Sequence, residues 1–129
     1  MTQVHCTPAQ ATVLEVLRQQ PEPTSAQTLY TLIKQKQRIG LATIYRALDA
    51  LKRMGRVQHR VTLAGKTLYN VVEQDHHYIT CLHCGQSFPL NMCPFQGLEF
   101  ALQHSRSFTV YYHTLEFFGL CGPCSDQDE

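Results

Sequence analysis

The chain has 129 residues, 43% of them hydrophobic and 16% charged, so it can form one domain of usual size or two small ones. No apolar run approaches the roughly 18 residues needed to cross a bilayer, and Met1 to Cys6 lack a charged-then-apolar leader, which together point to the reducing cytoplasm and to cysteines that hold metal rather than form disulfides. The net charge of +1 hides a reversal of sign: residues 1–72 carry ten Lys or Arg against three acids, and residues 73–129 carry only Arg106 against seven acids. A phosphate-facing front and a cation-binding rear are expected from that split.

Thr7-Pro8-Ala9-Gln10 reads as a helix start, with Thr7 at N-cap, Pro8 at the first helical position and Gln10 placed for a capping box. Val13, Val16 and Leu17 follow at helical spacing until Pro21 and Pro23 stop the helix. Thr24 or Ser25 can cap a second helix, with Leu29, Leu32 and Ile33 on one face and an end near Arg38. Gly40 begins a third, in which Leu41, Ile44, Leu48 and Leu51 form the buried stripe and Gly55 marks the end.

The short link around Arg38-Ile39-Gly40 gives helices two and three the layout of a helix-turn-helix. Thr43, Tyr45 and Arg46 then fall in the first turns of the third helix, where a recognition helix meets base edges and phosphates. Val57 to Val61 and Thr67 to Val72 read as strands joined through Ala64-Gly65-Lys66, a hairpin in the position of a wing. Arg56, Arg60 and Lys66 on that hairpin suit phosphate contacts. Residues 1–72 are therefore expected to be a winged helix-turn-helix domain that binds double-stranded DNA.

Glu73 to Asp75 reads as a hinge, and residues 76–129 as a second, small domain. His77 to Thr80 has strand character, Gln86 to Leu90 is the expected return strand, and Gly85 eases the turn between them. Phe95, Leu98 and Leu102 suggest a short helix ending near His104. Phe108 to Leu115 alternates in character and is expected to be a longer strand carrying His113.

Cys81-Leu82-His83-Cys84 and Cys121-Gly122-Pro123-Cys124 are two Cys-x-x-Cys pairs separated by 36 residues. Two such pairs can give four thiolates to one tetrahedral zinc. The neighbouring His76, His77, Cys93 and His113 supply nitrogen and sulfur donors for a further site, with Asp75, Glu99, His59 and His104 as candidates to complete it. As adjacent strand residues, His76 and His77 face opposite sides. His83, His5 and Cys6 are expected to be ordinary structural positions. A closed four-thiolate shell leaves no open position for a catalytic zinc, and zinc-filled pairs leave no thiols for redox catalysis, so an enzyme is not expected. A zinc-ribbon scaffold without DNA binding leaves the basic front half unexplained.

Three ordered stretches resemble the ferric uptake regulator (Fur) family of metal-dependent repressors: Leu41-Ala42-Thr43-Ile44-Tyr45-Arg46-Ala47-Leu48, then residues 75–85 (DHHYITCLHCG), then residues 113–124 (HTLEFFGLCGPC). Within the family the chain looks most like the zinc uptake regulators. The resemblance implies an α+β protein in which a winged-helix domain is joined by a hinge to an α/β dimerisation domain. It implies a homodimer that binds palindromic operator DNA when a sensory metal is present, with no membrane and no small organic substrate involved. Cys81, Cys84, Cys121 and Cys124 match the structural zinc ligands, Thr43, Tyr45 and Arg46 the recognition helix, and His76, His77 and His113 the regulatory-metal positions. Two departures are Tyr78, where a ligand histidine is common, and Gln96, near a usual glutamate ligand, with Cys93 as the substitute. A thiolate ligand favours zinc over Fe²⁺ or Mn²⁺, so the expectation is a zinc-responsive regulator with one structural and at least one regulatory zinc per subunit. Iron, manganese or peroxide sensing within the same family is the alternative.

Overall fold

The structure, a computed structural model, describes residues 6–74, 77–90, 93 and 97–126. The expectations placed on His5, Asp75, His76, Phe95 and Gln96 lie outside the described residues. The chain divides into two compact units, Met1–Gln74 and Asp75–Glu129.

The first unit opens with α1 (Pro8–Arg18), whose start is a capping box: the Gln10 amide donates to Thr7 Oγ1 at 3.1 Å and the Thr7 amide donates to Gln10 Oε1 at 3.0 Å. Two otherwise orphaned helix-end donors are satisfied reciprocally. Thr7→Ala should therefore lower the unfolding free energy of this unit by about 1 kcal/mol, read as a shift of the urea midpoint. Ser25, not Thr24, caps α2 (Ala26–Ile33). Thr24 instead forms a two-bond bridge to Tyr69 and pins the start of α2 to the hairpin. The helix stops at Ile33, short of Arg38, because Lys34-Gln35-Lys36-Gln37-Arg38 has no apolar side chain to bury; its first three residues continue only as turns and Gln37 as a bend.

In α3 (Leu41–Arg53) the buried stripe is Ile44, Ala47, Leu48 and Leu51; Leu41 is only half-buried, and Ala47 closes the face between turns. Gly55 leaves the helix with φ 74°, the left-handed conformation that ends helices at little cost only for glycine. β1 (Val57–Val61) and β2 (Thr67–Val71) then pair antiparallel from Val57↔Val71 to Val61↔Thr67. One core fills the unit, with Val13, Leu14 and Leu17 of α1, Leu29 and Ile33 of α2, the α3 stripe, and Val57, Tyr69 and Val71 of the hairpin.

The second unit is a three-stranded sheet in the order β4-β3-β5. β3 (His77–Cys81) pairs antiparallel with β4 (Ser87–Leu90) and parallel with β5 (Glu116–Gly119). A parallel neighbour requires a crossover, and the connection carries α4 (Leu98–Arg106). The strand expected over Phe108 to Leu115 is not present; that stretch is irregular, and the strand begins at Glu116. Only its last residue reaches the sheet, the Leu115 carbonyl accepting from the Tyr78 amide at 3.1 Å just before β5 begins, and Phe108 and Tyr111 stand 67% and 53% exposed. α5 (Gly122–Asp126) is a single turn and a half. Among the described residues of this unit only His77, Tyr78, Thr80 and Cys81 are buried, all of them on β3. No helix among the described residues is long and apolar enough to cross a membrane.

Candidate metal centres and nucleic-acid interface

β3 ends on Cys81, and a turn brings Cys84 back beside it. The Gly85 amide donates to the Cys81 carbonyl at 2.9 Å, and Gly85 takes φ 77° to close that turn. β5 runs alongside, the Leu82 amide donating to the Gly119 carbonyl at 2.7 Å, so the chain arrives with Cys121 just before α5 and Cys124 inside its first turn. The four sulfurs lie within 4.8 Å of one another, Cys84 and Cys121 at 4.0 Å, and all are free thiols. Tetrahedral zinc with sulfurs at about 2.3 Å requires sulfur–sulfur separations near 3.8 Å, so the cluster needs only a small contraction to hold the ion.

The electrostatics of this cluster agree with that fit. Backbone amides of Cys121 and then Cys84 aimed at the Cys81 sulfur stabilise its thiolate and lower its pKa to about 5. Cys124 is pushed up to about 12, first by its hydrogen bond with the Cys121 thiol and then by burial. Four crowded sulfurs cannot all ionise together without a cation, and a divalent ion removes that conflict.

A second group lies at the other end of β3. His77, the first residue of the strand, is 4% exposed and stacks on His113 with ring centroids 4.9 Å apart and an interplanar angle of 21°. His113 Nε2 stands 3.1 Å from Cys93 Sγ, while its Nδ1 is hydrogen-bonded to Glu99 on the first turn of α4. One donor atom from each of His77, Cys93 and His113 falls within a 4.8 Å cluster. Both ring nitrogens of His77 are buried without a hydrogen-bond partner among the described residues. An orphaned buried polar group of this kind costs about 1–3 kcal/mol. A cation between the three donors removes that penalty for one nitrogen, so the residues fit a metal.

The structure thus brings together His77, Cys93 and His113, with His113 carried by the irregular stretch before β5 instead of by a strand. Glu99 meets His113 across 14 residues of sequence, a contact that no local spacing signals. His104 is turned onto Phe100, centroids 4.2 Å apart, and takes no part in the cluster. His83 is exposed. His59 lies on β1 in the first unit, where burial, and then the positive charge of Lys52, lowers its pKa. A polar row that sequence reading missed crosses the sheet: Thr80 Oγ1 is shared between Ser87 and Glu116.

On the first unit, Ile44 and Ala47 turn inward and leave Thr43, Tyr45 and Arg46 on the outer side of α3. Tyr45 is 48% exposed, and Arg46 Nη2 donates to Thr43 Oγ1 at 3.1 Å, which holds the guanidinium along the helix. Arg60 is half-buried on β1, and Lys66 is exposed beside Gly65 at the hairpin turn. Outward polar groups on a helix packed beside a basic hairpin form a surface that suits a duplex groove and its phosphates.

Residues 1–118 match the sequence profile of the Ferric uptake regulator family. The chain is 30% identical over 105 residues to the ferric uptake regulation protein of Neisseria meningitidis serogroup A, covering 80% of this chain and 73% of that protein. It is 26% identical over 128 residues to the peroxide operon regulator of Bacillus subtilis, covering 98% and 88%. Among solved structures it resembles the Vibrio cholerae ferric uptake regulator with a TM-score of 0.58, 29% identity and 92% of each chain covered.

Proposed function

The chain belongs to the ferric uptake regulator family, whose members are metal-responsive transcription regulators and not enzymes, and we propose that it is the zinc-responsive kind. In this reading Cys81, Cys84, Cys121 and Cys124 hold one structural zinc. His77, Cys93 and His113 hold a regulatory zinc, and His76 is the candidate for a further ligand. The observation that carries the reading is the buried His77 ring, unpartnered at both nitrogens among the described residues, beside a thiol and a second imidazole. Nitrogen–oxygen sites suit Fe²⁺ and Mn²⁺, whereas a thiolate in the set favours zinc.

The protein acts in the cytoplasm as a homodimer on palindromic operator DNA. Residues 1–72 form the winged-helix domain, 73–75 the hinge and 76–129 the dimerisation and metal-binding domain. Thr43, Tyr45 and Arg46 enter the major groove, while Arg60 and Lys66 lie along phosphates. Regulatory zinc favours the one arrangement of paired DNA-binding domains that matches two half-sites about a helical turn apart. Coupling of that kind is worth roughly 1–3 kcal/mol, or about 5–150-fold in operator affinity.

Fluorescence anisotropy of operator-like DNA, with zinc titrated onto protein of known metal content, tests this. Tight binding should appear as the second zinc equivalent loads. A variant with both His77→Ala and Cys93→Ala should lose most of the zinc-dependent gain while keeping the first zinc. A response to Fe²⁺ or Mn²⁺ in place of zinc would move the chain to another branch of the family. An unchanged zinc response in the double variant would remove these residues from the sensing site.

A further inference from the structure

We propose that Glu99 is a positioning residue for the regulatory metal and not one of its ligands: it holds the Nδ1 proton of His113 and so turns the Nε2 lone pair toward Cys93 and His77. Three observations place it in that role. The Glu99 carboxylate is bonded to His113 Nδ1, and the opposite nitrogen, Nε2, is the one that stands 3.1 Å from Cys93 Sγ. The donor atoms that gather within 4.8 Å belong to His77, Cys93 and His113, and Glu99 is not in that group. Glu99 lies on the first turn of α4, where the Gly97 cap offers no side-chain hydrogen bond, yet its carboxylate is spent on His113 instead of on the helix end.

The chemistry follows from the two ring nitrogens. A neutral imidazole carries one proton, and the nitrogen that donates it cannot bind metal. With an acceptor fixed at Nδ1, the proton stays there and Nε2 is left bare on the side where the thiol and the second ring converge. A carboxylate in this position also raises the basicity of the coordinating nitrogen and locks the ring plane, and loss of such a partner commonly costs 10–100-fold in metal affinity. The ring of His113 stacks on His77, so fixing one ring restrains the other. The inference rests on the proposed metal role of His77, Cys93 and His113, and it assigns their orientation to a residue 14 positions from His113 on a separate element.

Competition against a chromophoric chelator, on protein already holding its first zinc, gives the affinity for the second. Glu99→Gln should weaken that second zinc about 10–100-fold. In a His113→Ala background the same change should cost nothing further, because Glu99 acts only through that ring. Cobalt loaded in place of the second zinc should keep its thiolate charge-transfer band and the position of its d–d bands in Glu99→Gln, since no ligand is lost. Long-range ¹H–¹⁵N spectra of the unsubstituted protein with one zinc equivalent should show His113 protonated at Nδ1 and bare at Nε2, which needs no variant to fold. Equal cost of Glu99→Gln with and without His113, displaced cobalt d–d bands, or a proton on Nε2 would each overturn the assignment. If the unsubstituted protein takes up no second zinc, the metal site itself falls and the inference with it. If it does and Glu99→Gln changes nothing, only the role of Glu99 falls.

Discussion

Cys84→Ser, or prolonged exposure to a strong zinc chelator, is expected to unfold the second unit while leaving Met1–Gln74 folded. The reason lies in how little this unit buries. Among its described residues the interior is one strand: His77, Tyr78, Thr80 and Cys81. α4 has no buried side chain, and Leu98, Phe100, Leu102, Phe108, Phe117 and Phe118 all remain substantially exposed. Chains of this size without a sizeable core depend on a metal, a disulfide or a partner subunit. No disulfide joins the six cysteines. In small zinc-dependent folds the ion supplies about 10–16 kcal/mol at neutral pH, far more than any single side chain.

Cys84 is the informative ligand to remove because its side chain is exposed, so serine there deletes a zinc bond and almost no packing. Hydrogen exchange should show the β3 amides losing protection, and limited proteolysis should cut between β4 and α5 while a fragment close to residues 1–74 survives. Retention of native exchange protection in β3 after complete zinc removal would mean that subunit pairing alone holds the sheet, and the structural role of the four cysteines would have to be withdrawn.

The unequal interiors of the two units also explain why the sequence was readable in front and less so behind. In the first unit each signal is local and the signals agree: the Thr7–Gln10 box, Pro8 at the helix start, the three-and-four spacing down to Leu51, and the glycines at 55 and 65. The helix drawn too long past Ile33 failed where apolar spacing ran out and only polar residues remained. In the second unit the alternation over Phe108 to Leu115 imitated a strand, because period-two alternation is blind to whether the backbone finds a partner strand. The true partner of β3 is Glu116–Gly119, in parallel, and a parallel ladder across more than thirty residues leaves no local trace. The two candidate centres divide the same way. Cys-x-x-Cys spacing announces a shared ion by itself, since two residues of spacer dictate the turn. His77, Cys93 and His113 lie far apart in sequence, so residue type and family resemblance could nominate them but not seat them. The hold of Glu99 on His113 belongs wholly to the fold.

Leu48→Ala should destabilise the first unit by about 2–5 kcal/mol, the usual range for truncating a fully buried leucine. Leu48 is 0% exposed and sits in the middle of α3, the helix that packs against α1, α2 and β1. Removing its isobutyl group leaves a cavity that three rigid neighbours cannot easily collapse, and dispersion contacts are lost on every side of it. A domain this small starts with little to spare, its total stability lying near the lower end of about 5–15 kcal/mol. The melting temperature of this unit should therefore drop by on the order of 10 °C or more, given about 4–8 °C per kcal/mol at this size. Leu41→Ala, at the half-buried start of the same helix, should cost clearly less. DNA affinity should fall in both variants only as far as the folded fraction falls, because neither side chain reaches the outer face that carries Thr43, Tyr45 and Arg46. Calorimetry with anisotropy on the same samples separates the two effects. A Leu48→Ala protein that melts with the unsubstituted chain would show that α3 is not the central packing element. One that stays fully folded yet loses DNA would mean that the inner face of α3 sets the recognition surface directly, with the core transmitting a shift the static packing does not reveal.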